Sequence, residues 1–265
     1  MVYTQLKPRH TKDAQVEEIS RDSTHYLLSI PAGKAAGYRL AQLDDYAQLK
    51  RREFPLRSPI SLSLSARTSN HSLPGTWGFG LWNDPFGLSL GFGGSPFRLP
   101  ALPNAIWFFG ASVESYLSFR ASSAPPKSGG SVQHDEYGAA NGFLAQSFRA
   151  PKFHPSLMLA GIALPFSRKM TRRLMGKVID DKGVRLGVDV TEWHRYRLDW
   201  RDTQVLFDVD DATVFESQVS PNPPLGLVIW IDNQFAAFTP EGRIGFGVLE
   251  NPEPAWLEVK DIEIK

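Results

Sequence analysis

Hydrophobic and polar residues alternate along several short stretches of the chain, with the period of two that is typical of β-strands. The clearest example is ISLSLSA at residues 60–66, in which an apolar residue and a serine take turns. Successive side chains of a strand point to opposite faces of a sheet. We therefore predict a strand with one solvent-facing side and one buried side, the latter formed by Ile60, Leu62 and Leu64.

The stretch TEWHRYRLDWRDTQVLFDVDDATVFES, residues 191–217, repeats this alternation between short polar segments. Tyr196, Leu198 and Trp200 share one face, the pattern resumes after RDTQ, and a second break follows at Asp210–Asp211. Short polar turns of this kind join antiparallel neighbours. The stretch therefore predicts a three-strand meander.

The segment AWLEVKDIEIK, residues 255–265, predicts a further strand that closes the sheet. Its apolar positions change parity part-way along, from Leu257 and Val259 to Ile262 and Ile264. An extra residue in one strand of an antiparallel pair produces such a change. We expect a β-bulge near Lys260–Asp261.

One region, residues 156–182, has the spacing of a helix instead. The apolar residues Phe166, Met170, Leu174 and Val178 recur at every fourth position. Pro165 stands where a first helical turn accepts proline, and Gly183 stands where a helix can stop. We predict a helical insertion of about three to four turns in an otherwise all-β chain.

The other face of this predicted helix is basic. It carries Arg168, Lys169, Arg172, Arg173 and Lys177. Such a face suits either an anionic membrane or phosphorylated partner, or a helix that packs on a sheet with its charges in water. We interpret it as the second, so membrane contact through residues 166–178 is not expected.

Composition agrees with a single β-sandwich domain. The 265 residues include 22 glycines, 20 prolines, 17 phenylalanines and 7 tryptophans, which favours many turns and large flat side chains over helices. We divide residues 1–265 into an N-terminal extension (1–35), the sandwich with a mobile loop at 122–142, and the helical insertion. The net charge of +1 gives no reason to expect nucleic acid as a partner.

Cofactor and metal chemistry have little support in the sequence. The chain has no cysteine, which excludes disulfides and thiolate ligands, and its six histidines show no metal-binding spacing. We expect no cofactor, and leave a structural calcium ion open because carbonyl groups and an aspartate suffice to hold one. Residues 1–20 lack the apolar core of a secretory signal, and no run is long enough to cross a bilayer, so the chain as it stands is expected to be cytoplasmic.

Three pieces of the sequence together resemble concanavalin A-like jelly rolls, and among them glycoside hydrolase family 16, which includes laminarinases and lichenases. These are SLSARTSNHSLPGTWGFGLWND (63–84), the meander stretch, and VIWIDN (228–233) followed by the last strand, in this order along the chain. The resemblance implies a jelly-roll β-sandwich and a role connected with carbohydrate.

The catalytic motif of that family is missing. Its members carry Glu-x-Asp-x-x-Glu on one strand, whereas no glutamate of this chain has an aspartate two positions later. By order along the chain the catalytic strand would fall at residues 104–119, where Glu114 is the only acidic residue. Because a retaining mechanism needs two carboxyl groups, the family's double-displacement reaction is not expected here.

The tryptophan-rich strand GTWGFGLWND supplies candidate ligand-binding residues. Gly78, Gly80 and Trp82 share one face, and glycines at the centre of a strand often mark close approach by a ligand or by another backbone. An aromatic surface with a few polar groups suits an oligosaccharide, although tryptophans of β-sandwiches are more often core. The candidate ligand-binding residues are Trp82, Asn83, Trp107, Trp230 and Asp232.

Three functions remain open from the sequence. The first is carbohydrate binding without catalysis. The second is an enzyme. It is either a glycoside hydrolase that uses other carboxylates, with Glu114 and Asp232 as the candidate catalytic residues and Asp135 and Glu136 as further ones, or an enzyme with a different chemistry in the same cleft. The third is a structural or interaction module in which the aromatic face is filled by the protein itself.

Overall fold

The structure is a computed structural model that describes residues 6–85, 98, 101–119, 141–151, 168–239 and 243–265. Within these ranges the chain forms sixteen β-strands, one α-helix and a short 3-10 helix. The strands are β1 (Lys7–His10), β2 (Gln15–Ser20), β3 (His25–Ile30), β4 (Leu40–Asp44), β5 (Ile60–Thr68), β6 (Thr76–Trp82), β7 (Ala105–Ala111), β8 (Gly142–Arg149), β9 (Asp180–Arg185), β10 (His194–Trp200), β11 (Val205–Val209), β12 (Ala212–Ser217), β13 (Gly226–Asp232), β14 (Gln234–Phe238), β15 (Ile244–Val248) and β16 (Ala255–Ile264). The α-helix, α1, is Arg168–Val178, and the 3-10 helix is Arg51–Glu53.

Two antiparallel sheets make up most of the described part of the chain. The first sheet has the strand order β1-β4-β13-β6-β7-β8-β9, and the second has the order β12-β11-β10-β5-β16-β3-β2. Strands β14 and β15 form a separate hairpin. Neighbours such as β4 and β13 or β5 and β16 are far apart in sequence, as in a jelly roll. The predicted all-β jelly-roll sandwich is confirmed.

The main core lies between the two sheets and follows the predicted alternation. In β5, buried residues alternate with partly exposed ones along the whole strand. Leu62 and Leu64 pack in the same buried cluster as Leu198 and Trp200 of β10 and Phe79 of β6. Removing these apolar side chains from water is the main source of stability in a fold of this kind.

The predicted meander and the bulge in the last strand are both present. Strands β10, β11 and β12 pair consecutively, and Asp210 and Asp211 turn the chain with φ angles of 50° and 64°. Aspartate tolerates this left-handed geometry better than most residues. In β16 the register shifts between Lys260 and Glu263, and Asp261 also has a positive φ of 56°.

Within the expected N-terminal extension, residues 1–35, the described part contributes strands to both sheets. Strand β1 forms an edge of the first sheet, and β2 and β3 form an edge of the second. Apolar and polar residues alternate less regularly in these strands, because a strand at a sheet edge buries little of its surface. The largely exposed residues of β2 are an example. The described part of the sandwich therefore includes this region from Lys7 onward.

The predicted helical insertion, residues 156–182, is only partly helical. Residues 156–167 lie outside the described ranges, α1 ends at Val178, and β9 follows at once. Gly183 does not stop the helix, because it lies in β9 opposite Gln146 of β8. Ile179 and Val184 are buried, so packing against the core favours a strand here over a fourth helical turn.

The basic face of α1 does not lie entirely in water. The Arg172 side chain is only 4% exposed and donates hydrogen bonds to the backbone oxygens of Ser118, Phe119 and Phe238, whereas Arg173 and Lys177 are exposed. No helix in the described ranges is long and apolar enough to span a membrane. Of the loop expected at 122–142, residues 122–140 lie outside those ranges.

Candidate ligand-binding site

A second apolar cluster covers the outer face of the first sheet, opposite the main core. Strands β6, β7 and β13 lie side by side, with Gly80 opposite Trp107 and Gly78 opposite Trp230. Trp82 lies two residues beyond Gly80 on the same face of β6. The side chains of Trp82, Trp107 and Trp230 therefore meet above the two glycines, and we call these three residues the aromatic floor.

The rings of the aromatic floor are in mutual contact. Trp82 and Trp230 are parallel within 5°, with ring centroids 6.0 Å apart, and Trp107 is tilted against both. Trp107 is 3% and Trp230 6% exposed, while Trp82 is partly exposed. The floor is thus mostly covered, and Trp82 is its most accessible ring.

The glycines of β6 serve the approach of another backbone and do not leave a bare patch. A Cβ atom at Gly78 would lie 2.3 Å from the backbone oxygen of Phe108 and 3.0 Å from Cη2 of Trp230. At Gly80 it would lie 2.3 Å from the backbone oxygen of Ile106. Of the two occupants that central glycines suggest, a ligand or another backbone, the structure shows the second, because β7 and the Trp230 ring occupy that space.

A cavity of about 80 Å³ lies above the aromatic floor, with room for roughly five to eight water molecules. It is lined by Arg9, Tyr38, Leu40, Gln42, Tyr46, Thr76, Trp82, Asp84, Trp107, Phe109, Leu117, Trp230, Asp232, Gln234, Phe235, Ala236 and Phe246. These residues come from five strands of the first sheet, from the β14–β15 hairpin and from the connections between strands. We call this space the floor cavity.

Asp232 is the buried carboxylate of the floor cavity. It accepts hydrogen bonds from the backbone and hydroxyl of Thr76, from the backbone of Gln234 and from the Tyr38 hydroxyl at 3.3 Å. Thr76 in turn accepts one from the Trp230 indole at 3.0 Å. Burial raises the pKa of Asp232 to about 6, against the lowering effect of these hydrogen bonds. Asp232 therefore holds the floor and one wall together.

Gln234 offers an unused hydrogen-bond donor. Its side-chain nitrogen Nε2 is buried and has no hydrogen-bond partner in the described part of the chain. Buried polar atoms are nearly always hydrogen-bonded, and this exception belongs to a side chain that lines the floor cavity. Gln234 is the strongest indication of a binding role at this cavity.

The charged groups around the cavity are paired with other protein groups. Arg9 lies 3.5 Å from the buried Asp44, and Asp84 forms a buried ion pair with Arg98. Gln42 donates from Nε2 to Asp44 at 2.8 Å and also to the Tyr46 hydroxyl at 3.3 Å. The charged side chains of this otherwise largely apolar lining are therefore compensated by other groups of the described residues.

The predicted site residues separate into two groups. Trp82, Trp107, Trp230 and Asp232 all line the floor cavity. Asn83 does not, because its amide donates to the backbone oxygen of Leu102 and accepts from the backbone of Asn104. Glu114 lies exposed in the turn after β7, away from the cavity lining, and Asp135 and Glu136 lie outside the described ranges.

Sequence reasoning missed several residues of the cavity, among them Arg9, Gln42, Tyr46 and Gln234. Arg9 lies in the stretch assigned to an extension, and Gln234 follows VIWID by one turn residue. Tyr38 and Leu40, two positions apart, are a weak sequence signal for one wall of the floor cavity, which both residues line. Neighbouring positions on different strands could have been found only from the strand order.

No family model matches the chain, and no curated protein matches it in sequence. Among solved structures, a glycoside hydrolase family 16 endo-glucanase from Bacteroides ovatus aligns at 9% identity and a TM-score of 0.48, covering 100% of this chain and 96% of that one. A legume lectin-like domain from Entamoeba histolytica aligns at 9% and 0.46, covering 98% and 89%. A β-1,3-glucanase from Mycobacterium marinum aligns at 14% and 0.42, covering 100% and 92%. Function has to be inferred from the site itself.

No three or more acidic or histidine side chains of the described residues come close enough together to hold a metal ion. Asp232 and Asp44, the buried carboxylates on neighbouring strands, are each held by several hydrogen bonds to the protein. The floor cavity therefore offers aromatic surface and hydrogen-bond donors to a ligand. Its buried carboxylates are used in hydrogen bonds that hold the protein together.

Asp45, next to the cavity wall at Tyr46, provides a test of the electrostatics of this region. Its Oδ1 accepts a hydrogen bond from the backbone of Leu227 at 2.9 Å, and its buried Oδ2 has no partner among the described residues. Burial raises the pKa of Asp45 from 3.8 to about 7. Since the folded state holds the proton more tightly than the unfolded state, this carboxyl lowers stability progressively as the pH rises from about 4 to about 7.

We expect Asp45→Asn to raise the free energy of unfolding by about 1–3 kcal/mol at about pH 8 and to leave it nearly unchanged at about pH 4. Asparagine keeps the acceptor for Leu227 and removes the charge. Urea unfolding at both pH values measures the effect, with the exposed Asp13→Asn as the control. An equal gain at both pH values would mean that packing, and not charge, is responsible.

Proposed function

We propose that this protein binds carbohydrate in the floor cavity. The observation that carries the proposal is the combination of a partly exposed indole, Trp82, stacked parallel to Trp230 in the aromatic floor, with the amide donor of Gln234, which has no partner among the described residues. A sugar ring has an apolar face of C–H groups and a rim of hydroxyls. Aromatic rings suit the first and fixed amide and hydroxyl groups suit the second.

The positions of the carboxylates favour binding over double-displacement hydrolysis. Asp44 lies opposite Val228, four residues before Asp232 on the neighbouring strand. Four residues of extended chain span on the order of 13 Å, well beyond the separation of about 5 Å that a retaining glycosidase needs. Asp84 is already paired with Arg98. These features support a carbohydrate-binding role in which the carboxylates shape the site.

A cavity lined partly by polar residues also favours binding over an interaction module with a filled aromatic face. A filled face would satisfy its buried polar atoms internally, whereas Gln234 Nε2 is left without a partner among the described residues. The same side chain lines the cavity. We therefore place the ligand contact at Gln234 and Trp82.

The proposal predicts that Trp82→Ala weakens sugar binding about tenfold, because losing a stacking surface costs about 1.5 kcal/mol. A glycan array first identifies a bound oligosaccharide, and titration calorimetry then compares the variants. Gln234→Leu, which keeps the size but removes the donor, is also expected to weaken binding. Trp193→Ala is the control, because Trp193 packs beside Arg67 and Lys260, away from the cavity lining.

If Trp82→Ala and Gln234→Leu bind the sugar as tightly as the unaltered protein, the ligand lies elsewhere. Circular dichroism of each variant establishes that the fold is intact before affinities are compared.

A further inference from the structure

The floor cavity has walls at both ends along the direction of the strands. At one end stand Asp232 and the β14–β15 hairpin, which contributes Phe235, Ala236 and Phe246. At the other end stand Tyr46 and Asp84, next to Trp82. Trp82 lies opposite Gly226 and Asp232 lies opposite Thr76, so these are opposite ends of the same pair of strands.

The hairpin wall is fixed to the rest of the domain. The backbone of Tyr116 donates to Ala236 at 2.9 Å and accepts from Phe238 at 3.0 Å. Arg172 of α1 donates to the backbone oxygen of Phe238 at 2.7 Å. Within the hairpin, Phe235 lies against Gly245 and Gly247, where a Cβ atom would come within 3.2 Å of its ring or closer. A ligand therefore meets a wall that is held from three directions.

The remaining two sides are also lined. Arg9 and Gln42 stand on the side of β1 and β4, and Phe109 and Leu117 on the side of β7. The cavity is therefore a bowl on the face of the sheet, with a volume of about 80 Å³. A groove for the middle of a polysaccharide would need two unobstructed ends.

The charges around the bowl select against an acidic sugar. Among the described residues, three charged side chains line it, and each has a partner: Arg9 has Asp44, Asp84 has Arg98, and Asp232 has four hydrogen bonds. An acidic group would therefore compete with Asp44 for Arg9 and would lie close to Asp84 and Asp232. Like charges brought together in this way cost affinity.

We infer that the floor cavity takes one uncharged sugar ring at the end of a glycan, not a stretch within the chain. This inference rests on the proposed function, since it specifies the ligand of the same site. The Trp82 indole receives the apolar face of the terminal ring, Gln234 Nε2 donates to one of its oxygens, and the next ring leaves the bowl towards solvent.

Titration calorimetry with uncharged gluco-, manno- and xylo-oligosaccharides, from monosaccharide to hexasaccharide, tests the inference. In the series that binds, we expect affinity to rise by less than about threefold beyond the disaccharide, because further rings make no contact. The matching oligouronates are expected to bind at least about tenfold more weakly. Affinity that climbs steadily to the hexasaccharide, or an equal affinity for oligouronates, would overturn the inference.

Two further variants separate this inference from the proposed function. Phe246→Ala removes part of the hairpin wall, so affinity for the longer oligosaccharides is expected to rise relative to the disaccharide. If Trp82→Ala and Gln234→Leu weaken binding but affinity in the unaltered protein grows with chain length, the site stands and the end-on mode fails. If those two variants leave the binding of every series unchanged, or no series binds, the proposed function fails as well.

Discussion

Replacing Gly78 with alanine is expected to destabilise the protein by about 3 kcal/mol or more, because the added carbon has no space. Its Cβ would stand 2.3 Å from the backbone oxygen of Phe108 and 3.2 Å from the Cα of Phe109, both on the neighbouring strand β7. A backbone inside a seven-stranded sheet cannot move aside without loss of its own hydrogen bonds. We therefore expect β6 and β7 to separate before they accommodate the methyl group.

Urea unfolding followed by tryptophan fluorescence measures this effect. Gly187→Ala is a matched control, since no atom lies within 4 Å of the position that its Cβ would occupy. The control is expected to unfold at nearly the same urea concentration as the unaltered protein. Equal midpoints for Gly78→Ala and Gly187→Ala would show that the two strands are not packed as tightly as the structure indicates.

The second large effect is expected at Arg172. Its guanidinium is buried and donates to three backbone oxygens, those of Ser118, Phe119 and Phe238, which belong to two separate parts of the chain. Methionine would fill much of the volume but leave these carbonyl groups without their donor. Because each unsatisfied buried group costs about 1–3 kcal/mol, we expect Arg172→Met to lower the free energy of unfolding by at least about 3 kcal/mol.

A control on the same helix isolates the cause. Arg173 is exposed, so Arg173→Met should have almost no effect on stability. Arg172→Lys keeps the charge, but its single ammonium group cannot reach all three oxygens, and an intermediate loss is expected. Hydrogen exchange at the Phe238 amide, which donates to Tyr116, should speed up in Arg172→Met. Unchanged exchange there would show that Arg172 does not anchor the hairpin.

Much of the fold could be predicted because a strand with one buried face has alternating apolar and polar residues in its sequence. The alternation in β5, β10 and β11 gave the right strands and the right faces, and the change of parity in β16 gave the bulge. The N-terminal strands could not be predicted in this way, because β2 is mostly exposed and its sequence shows little alternation. The prediction that Gly183 ends the helix was wrong for a different reason. Pairing with β8 places this residue in a strand, despite the local helix-stop signal.

Only part of the candidate site could be predicted, namely the residues that share a face along a single strand. Trp82, Trp107, Trp230 and Asp232 line one cavity as their face on each strand suggested. Asn83 was assigned to the site, yet its amide is used to join two connecting segments, which neither its type nor its spacing reveals. The positions of the hairpin wall and of Gln234 depend on which distant parts of the chain come into contact. A single sequence does not show these contacts.

The order of strands in the second sheet has a consequence for how the protein is made. Strand β16, at residues 255–264, lies between β5 and β3 and pairs with both, so the latest strand of this sheet is a direct neighbour of β3, one of its two earliest strands. During synthesis the sheet has a gap in its middle, with β2 and β3 on one side and four strands on the other. Contacts this distant in sequence form slowly. Completion of the sandwich must therefore await the final strand, and a nascent chain shorter than this exposes two unpaired strand edges that invite aggregation or chaperone binding.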